Sequence, residues 1–412
     1  MTAHRVDAGP LELGGGLETL VHAALESVPV GGALEVVTAS RGVAFELAAW
    51  ARIAGHEPAG EAVEGSGAGQ RFVVGLRRGG VERVLAPPLP PRGDPPTTTS
   101  MTELRRASPL PPATDPESGL VPLGALAEAG APAHHWRLNE TDRLWADELT
   151  SLTERAASAQ WDAARDIPWE AATGLVPDVE RAVAQVMTYI AQNEYAALYV
   201  PARFLPQVNP RQAEVLLWLA SHVHDEARHV EVFTKRALAG GARAYALAST
   251  DLSLHSLMAE SDFTAAALLF NVLGEGTFLD LLRFVERHAP DAATAAAARL
   301  AHRDERRHVH FGIAHVRRRL TLDPDEQTTL VASAEARAAK LTSLSGLSPL
   351  LTESLTVMAA RSLQPAELSE AGDALRRLMR TMERNRVRRL RSAGFDAATA
   401  RYLSDLHTPN LM

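Results

Sequence analysis

The sequence predicts a mainly α protein: a four-helix bundle with extra helices, preceded by a small N-terminal α/β two-layer sandwich. Three observations lead there. From about Ala131 onward, apolar residues recur at the three- and four-residue spacing of helices that face a core. The first eighty or so residues instead mix β-branched runs with helical ones. Between the two lies "APPLPPRGDPPTTTSMTELRRASPLPPATDPESG", dense in Pro and Thr, whose prolines remove donors and favour extended backbone. The expected division is therefore 1–82 for the sandwich, 83–130 for a linker or wrapping segment, and 131–412 for the helical domain.

In chain order, "LETLVHAALESV" and "GVAFELAAWARIAG" read as helices, while "ALEVVTAS" and "QRFVVGLRRG" read as strands bounded by Gly and Ser. Beyond the linker, helices are expected near Glu140–Ala159, Asp178–Phe204, Pro210–Leu238, Asp262–His288, Asp291–Leu320, Pro324–Ser343 and Ala366–Ala393. "NPRQ" suggests Asn209 as an N-cap, Pro210 at the first helical position and Gln212 at the capping-box position. Gly240–Gly241 should stop that helix, and Pro290 and Asp291 should separate the next two.

Bulk properties exclude several classes. Hydrophobic residues make up 46% and charged residues 22%, enough for a sizeable core. The net charge of −8 gives no basic field toward nucleic acid or anionic membrane. With no cysteine there are no disulfides, thiolate nucleophiles or cysteine-held clusters. That fits a reducing compartment, and with no basic-then-apolar N-terminus a cytoplasmic location is expected. The longest apolar stretch, "FTAAALLFNVLG", is too short to span a bilayer, which takes roughly 20 residues.

The chemistry sits in "HVHDEARHVEVF", His222–Phe233. Glu226 stands three residues before His229, so on a helix both point to one face. Val223, Ala227, Val230 and Phe233 around them look like core. The motif has a twin in "DERRHVHF", where Glu305 precedes His308 by three. Glu275 lies on the apolar stripe of the intervening helix, and Glu194 on that of the helix before the first pair. The order is Glu, Glu-x-x-His, Glu, Glu-x-x-His on four successive helices, an arrangement that holds two metal ions inside a bundle. Four carboxylates offset the charge of two metals and can bridge them, and each imidazole adds a neutral nitrogen. Six such groups buried without a metal would carry a desolvation cost of many kcal/mol.

On these motifs, Asp178–Leu320 resembles the ferritin-like superfamily, most of all its ribonucleotide-reductase-related branch of di-iron oxygenases and oxidases. The resemblance implies that Glu194, Glu226 and His229 hold one iron and Glu275, Glu305 and His308 the other, with Glu226 and Glu305 bridging. Manganese could replace one iron. It further implies that O2 is reduced while a small organic substrate is oxidised, with an external electron donor. A homodimer is expected. Radical-generating members carry a tyrosine one turn after the first histidine; here that place is Phe233, which argues against a tyrosyl-radical subunit.

Other residues refine the reading. Gly274 and Gly276 flank Glu275 in mid-helix, each costing about 1 kcal/mol relative to Ala. They suggest either close helix packing or a π-bulged helix in which Glu275 shifts binding mode. His222, one turn before Glu226, is a possible extra ligand or a core histidine, whereas His224, His302 and His310 fall off the ligand stripe. Asp225 and Asp304 could hydrogen-bond ligand histidines on opposite helices. Trp161 and Trp169 read as core anchors, and "RRLMRTMERNRVRRLR" as a solvated helix face. Two alternatives to an oxygenase or oxidase stay open: a ferroxidase or iron-handling protein, and a non-catalytic scaffold stabilised by its metals.

The N-terminal stretch Leu11–Arg78 resembles the sulfur-carrier (TusA-like) fold, through a Leu-x-Leu strand at Leu11–Leu13, "GGALEVVT" and "AAWARIAGHE". That family's sulfur-carrying cysteine has no counterpart here, so the resemblance implies a module used for packing, dimerisation or covering the site.

Overall fold

The computed structural model describes residues 4–80, 112–114, 119–120, 134–241, 254–341 and 349–407. They fall into two compact units, one holding 4–80, 119–120 and 134, and the other 112–114, 135–241, 254–341 and 349–407. Most of the expected linker, 83–130, lies outside the described residues. Its described piece at 112–114 pairs with 139–141 of the helical unit, through Thr114 N to the Asn139 carbonyl (3.0 Å) and Thr141 N to the Pro112 carbonyl (2.9 Å).

In the N-terminal unit the strands are β1 (His4–Gly9), β2 (Ala33–Thr38), β3 (Glu57–Glu64) and β4 (Arg71–Arg77), in sheet order β1-β2-β4-β3. β1 runs parallel to β2, across a crossover through α1 (Leu17–Glu26); the other pairings are antiparallel. α2 (Arg41–Ala54) starts where Ser40 Oγ accepts from Val43 N and ends at Gly55, whose φ of 87° suits only glycine readily. Leu17, Val21 and Leu25 from α1 and Val43, Leu47 and Trp50 from α2 pack on Leu34, Val36, Val74 and Leu76 of the sheet, which makes the two layers. The strand expected at Leu11–Leu13 is a turn instead. β1 ends at Gly9 (φ 53°), and Gly14 and Gly16, at φ 78° and 103°, carry the chain around into α1. The two leucines pack on the core without pairing. β3 has no apolar alternation and is an exposed edge, so periodicity does not reveal it.

The helical unit begins with a 3₁₀ turn at Thr141–Arg143 and then α3 (Leu149–Ser158), so the helix expected over Glu140–Ala159 is shorter. The long helices follow: α4 (Pro177–Ala202), α5 (Ala213–Ala239), α6 (Phe263–His288) and α7 (Ala292–Leu322). α4 lies along α5, α6 along α7, and α5 faces α7. α8 (Glu326–Leu341) and α10 (Pro365–Ser392) match expectation, while α9 (Pro349–Ala360), which covers α4, and α11 (Ala397–His407) were not anticipated.

The start of α5 differs from expectation. Asn209 Oδ1 accepts from Arg211 N (3.0 Å) in a local turn, and Gln212 Nε2 reaches Thr141 Oγ1 (2.9 Å), so these side chains tie α5's approach to the preceding segment and the helix begins at Ala213. Gly240 ends α5, and Asp291 Oδ1 caps α7 from Thr294 N (2.8 Å), as expected.

Residues Ala267–Glu275 of α6 form a π-helix, the irregularity the flanking glycines suggested. α6 is long and apolar enough to cross a membrane by length and composition, with mean hydropathy 1.4, but 89% of that window is buried inside the protein, as in a core helix. On α10, Arg376, Arg377 and Arg380 are exposed as expected, but Arg386 turns inward and donates to the Ser404 carbonyl (2.9 Å), and Arg389 ion-pairs with Asp280 (3.3 Å).

Candidate metal centre

All six expected ligands are buried and converge between α4, α5, α6 and α7. Glu194 comes from α4, Glu226 and His229 from α5, Glu275 from the last residue of the π segment, and Glu305 and His308 from α7. Their ligand atoms fall into two sets, each within 4.8 Å of one another. One is Glu194, Glu226, His229 and Glu305; the other is His222, Glu226, Glu275 and His308. Glu226 is shared, as a bridging carboxylate would be. Glu305 belongs to the first set and also lies 3.4 Å from His308 Nδ1 of the second.

Both motif histidines present Nδ1 to this space. His229 Nδ1 lies 3.0 Å from Glu226 Oε2 and 3.4 Å from Glu305 Oε1; His308 Nδ1 lies 2.9 Å from Glu226 Oε1 and 3.6 Å from Glu275 Oε1. The far nitrogens cross to the partner motif: His308 Nε2 meets Asp225 (3.2 Å) and His229 Nε2 meets Asp304 (3.4 Å). This is the crossing expected of the two aspartates. An acceptor at Nε2 keeps the proton there and frees Nδ1 as a ligand.

The aspartates are held in turn by arginines. Arg228 reaches Asp225 and, at 3.1 Å, Asp304; Arg307 reaches Asp225 (2.8 Å) and Asp304 (2.7 Å). Trp161 Nε1 donates to Asp304 Oδ2 at 2.6 Å, and the Arg228 guanidinium lies 5.0 Å from the Trp161 ring centre. Trp161 is thus a core residue with a polar task beside His229. Sequence reasoning read Trp161 as a core anchor without this polar role and missed both arginines, whose only signal was the shared D-E-x-R-H pattern of "DEARH" and "DERRH".

The protein's own charges oppose one another here. Burial, then the Glu226 charge, pushes the Glu194 carboxyl well above the usual range, and burial with Glu226 and Glu275 raises Glu305. Burial would also raise Glu226, but His229, His222 and His308 hold it well below the usual value. For His229 and His308 burial disfavours the charged form, yet nearby Glu226 and the aspartates raise both well above an ordinary imidazole. Asp225 and Asp304 are held low against their burial, above all by His308 and His229 respectively.

Hydrogen bonding does not complete the cluster. Glu194 Oε1, Glu226 Oε1, both Glu305 oxygens and His308 Nδ1 are buried without a hydrogen-bond partner. Glu226 Oε1 and His308 Nδ1 approach to 2.9 Å outside hydrogen-bond geometry. Five orphaned ligand-type atoms around one small space fit a pair of cations. Four carboxylates and at least two imidazoles suit iron or manganese.

Outside the cluster, His224 and His310 are exposed and His302 half-buried, as their off-stripe positions suggested. Phe233 is fully buried, but Ala227 is exposed and Val223 and Val230 are half-buried, so the core side of α5 is narrower than the apolar spelling implies. Trp169 donates to the Ala163 carbonyl (2.9 Å). Beside Glu194, Glu275 and Glu305 lies a cavity of about 30 Å³, walled by Ala196, Ala197, Leu254, Leu257, Phe270 and Phe278, with Asn193 and Gly274 at its edge.

No protein-family model matches the chain, and no curated protein matches it. Among solved structures it is similar to R2-like ligand-binding oxidases. One with an aerobically reconstituted Mn/Fe cofactor is 17% identical, covers 64% of this chain and 91% of its own, and gives a TM-score of 0.39. Another, with a metal cofactor after photoconversion, is 18% identical over 64% of this chain and 91% of its own, with a TM-score of 0.41. A third, from Sulfolobus acidocaldarius, is 16% identical over 57% of this chain and 90% of its own, with a TM-score of 0.39. Likenesses at these scores carry no weight of their own. The metal-centre reading rests on the four helices and the side chains that meet between them.

Proposed function

We propose that the helical unit is a non-haem di-iron oxidoreductase that activates O2 and oxidises a small organic substrate. One observation carries this: two sets of buried ligand atoms share Glu226 and lie against an apolar cavity. When bound, two irons or a manganese–iron pair supply the electrons that reduce O2 and the oxidising power directed at the substrate, with an external donor restoring the reduced state.

The chain's own residues set the conditions. Asp225 and Asp304 hold the Nε2 protons of His308 and His229, so both rings present Nδ1 in a fixed orientation. Arg228 and Arg307 balance the aspartates, leaving the carboxylate charge of the glutamates for the metals. Asn271 Nδ2 holds Glu275 Oε2 at 2.7 Å, leaving Oε1 turned to the cluster. The π segment gives that carboxylate a register an α-helix would not. The cavity wall of Ala, Leu and Phe excludes water and favours an apolar substrate; at about 30 Å³ it holds a molecule of O2's size, so an organic substrate must displace side chains. A carboxylate-rich set accepts manganese as well as iron.

The test is anaerobic loading with ferrous iron followed by rapid mixing with O2. We expect two irons per chain and O2 uptake matched to the iron pairs, with an absorbance transient. Iron far above two per chain would make this a storage protein. Two irons without O2 uptake would make it a scaffold.

A further inference from the structure

We propose that His222 is a seventh protein ligand, putting a second imidazole on the metal held by Glu275 and His308 and none on the metal held by Glu194 and His229. The inference rests on the di-metal reading above.

The geometry is specific. His222 Nε2 lies 2.9 Å from Glu275 Oε1 and 3.2 Å from Glu226 Oε1. These are the two oxygens that His308 Nδ1 approaches at 3.6 and 2.9 Å. Two imidazole nitrogens from α5 and α7 therefore converge on one pair of carboxylate oxygens, with all four atoms within 4.8 Å. The rings of His222 and His308 lie side by side, centres 3.7 Å apart and 23° from parallel. His222 is fixed on its other side by Phe270 of the π segment, stacked at 5.7 Å, and by Trp218 one turn earlier on α5 at 5.9 Å. A ring clamped this way has its nitrogen aimed before any metal arrives, so little entropy is lost on binding.

Among the described residues, the other half of the centre has no such group. The position one turn before Glu305 is Ala301, fully buried. The two Glu-x-x-His motifs match in acid and imidazole but differ one turn upstream, and that difference sets two consequences. The metal at Glu275 would have two nitrogen donors and fewer free positions than the metal at Glu194, while the apolar cavity borders Glu194, Glu275 and Glu305 alike. Nitrogen donors also favour later first-row metals over manganese. In a mixed pair, iron takes the His222 site and manganese the Glu194 site.

The experiment compares the full chain with His222→Gln. Glutamine retains a donor for Glu275 and Glu226 but has no imidazole nitrogen. Under anaerobic ferrous titration with metal analysis, the unsubstituted protein is expected to bind two irons. The variant should bind one at iron concentrations that fill both sites in the parent. A variant that fills both sites with parental affinity overturns the proposal. A parent that binds no metal pair sinks the underlying reading as well, so the two failures are distinguishable. Diffraction from the unsubstituted protein, loaded with iron and manganese together and measured at both absorption edges, gives a readout independent of the variant. We expect iron bonded to His222 Nε2 at about 2.1 Å, as for other metal–imidazole bonds, and manganese at Glu194. Manganese at the His222 site, or no metal bonded to Nε2, overturns it.

Discussion

Glu226 is the side chain on which the centre turns, because it belongs to both sets of ligand atoms. Its place, and those of the other five expected ligands, were legible in the sequence. A three-residue step from acid to imidazole is helical geometry, and an isolated acid on an apolar stripe stands out against its neighbours. The contacts of Trp161 and Arg228 with Asp304 were not legible, because they span 143 and 76 residues and no periodicity records such pairs, and for Arg228 and Arg307 the sequence showed only the repeated D-E-x-R-H spacing. The charges around Glu226 also make a pH prediction. Glu194 and Glu305 are raised, so without metal they tend to hold protons, and His229 and His308 are raised too. Metal ligation needs all four without those protons. Binding should therefore release protons, and affinity should fall as pH falls. Calorimetry of iron binding in two buffers of different ionisation heat will show it. Equal heats in both buffers, hence no proton release, would contradict the assigned directions.

Among the elements, α6 departs furthest from regular geometry, and its π segment is matched by a glycine on the facing helix. A Cβ built at Gly312 of α7 would fall on Asn271 Cβ and 3.3 Å from the Ala267 carbonyl oxygen, both in the π segment. Neither neighbour is a flexible side-chain end, so α7 and α6 would have to separate. Asn271 also steadies Glu275. By contrast, a Cβ at Gly274 meets only the Leu269 carbonyl at 3.4 Å, and one at Gly276 meets the movable Arg389 side chain. We expect Gly312→Ala to cost about 1–3 kcal/mol, as overpacking typically does, and to weaken iron at the Glu275 site, with Gly274→Ala well below it in both. Chemical denaturation and metal titration of the two variants measure this; equal effects would refute the close approach. The paired glycines of α6 left close packing and a π-bulge both open, whereas the role of Gly312 had no signal at all, since its reason lies in the helix it meets. The start of α5 failed for a similar reason: Asn209 and Gln212 look like capping residues in isolation, and their hydrogen bonds go to a local turn and to Thr141.

At the level of the whole molecule, the fold class was legible because two periodicities occupy separate parts of the chain, while the edge strand β3 and the covering helices α9 and α11 were not, having weak or interrupted patterns. The helical unit buries a heavy load of ionisable groups. Four carboxylates and three imidazoles are nearly or fully buried in its interior, several with no hydrogen-bond partner, and removing a group's partner inside a protein costs more than the pair contributes. Metal binding should thus be a large part of this unit's stability. At a hundredfold excess over Kd, one site contributes about 2.7 kcal/mol. For a unit of this size that corresponds to a rise in Tm of roughly 5–10 °C, and two sites give more. The sandwich of residues 4–80 has its own core of Leu, Val and Trp and holds no metal cluster among its described residues. Two units need not melt together. Anaerobic scanning calorimetry with and without a chelator should therefore lower the helical transition by at least about 5 °C and leave that of the sandwich in place. A helical transition that ignores the chelator in iron-loaded protein would mean that the cluster is stable without its metals.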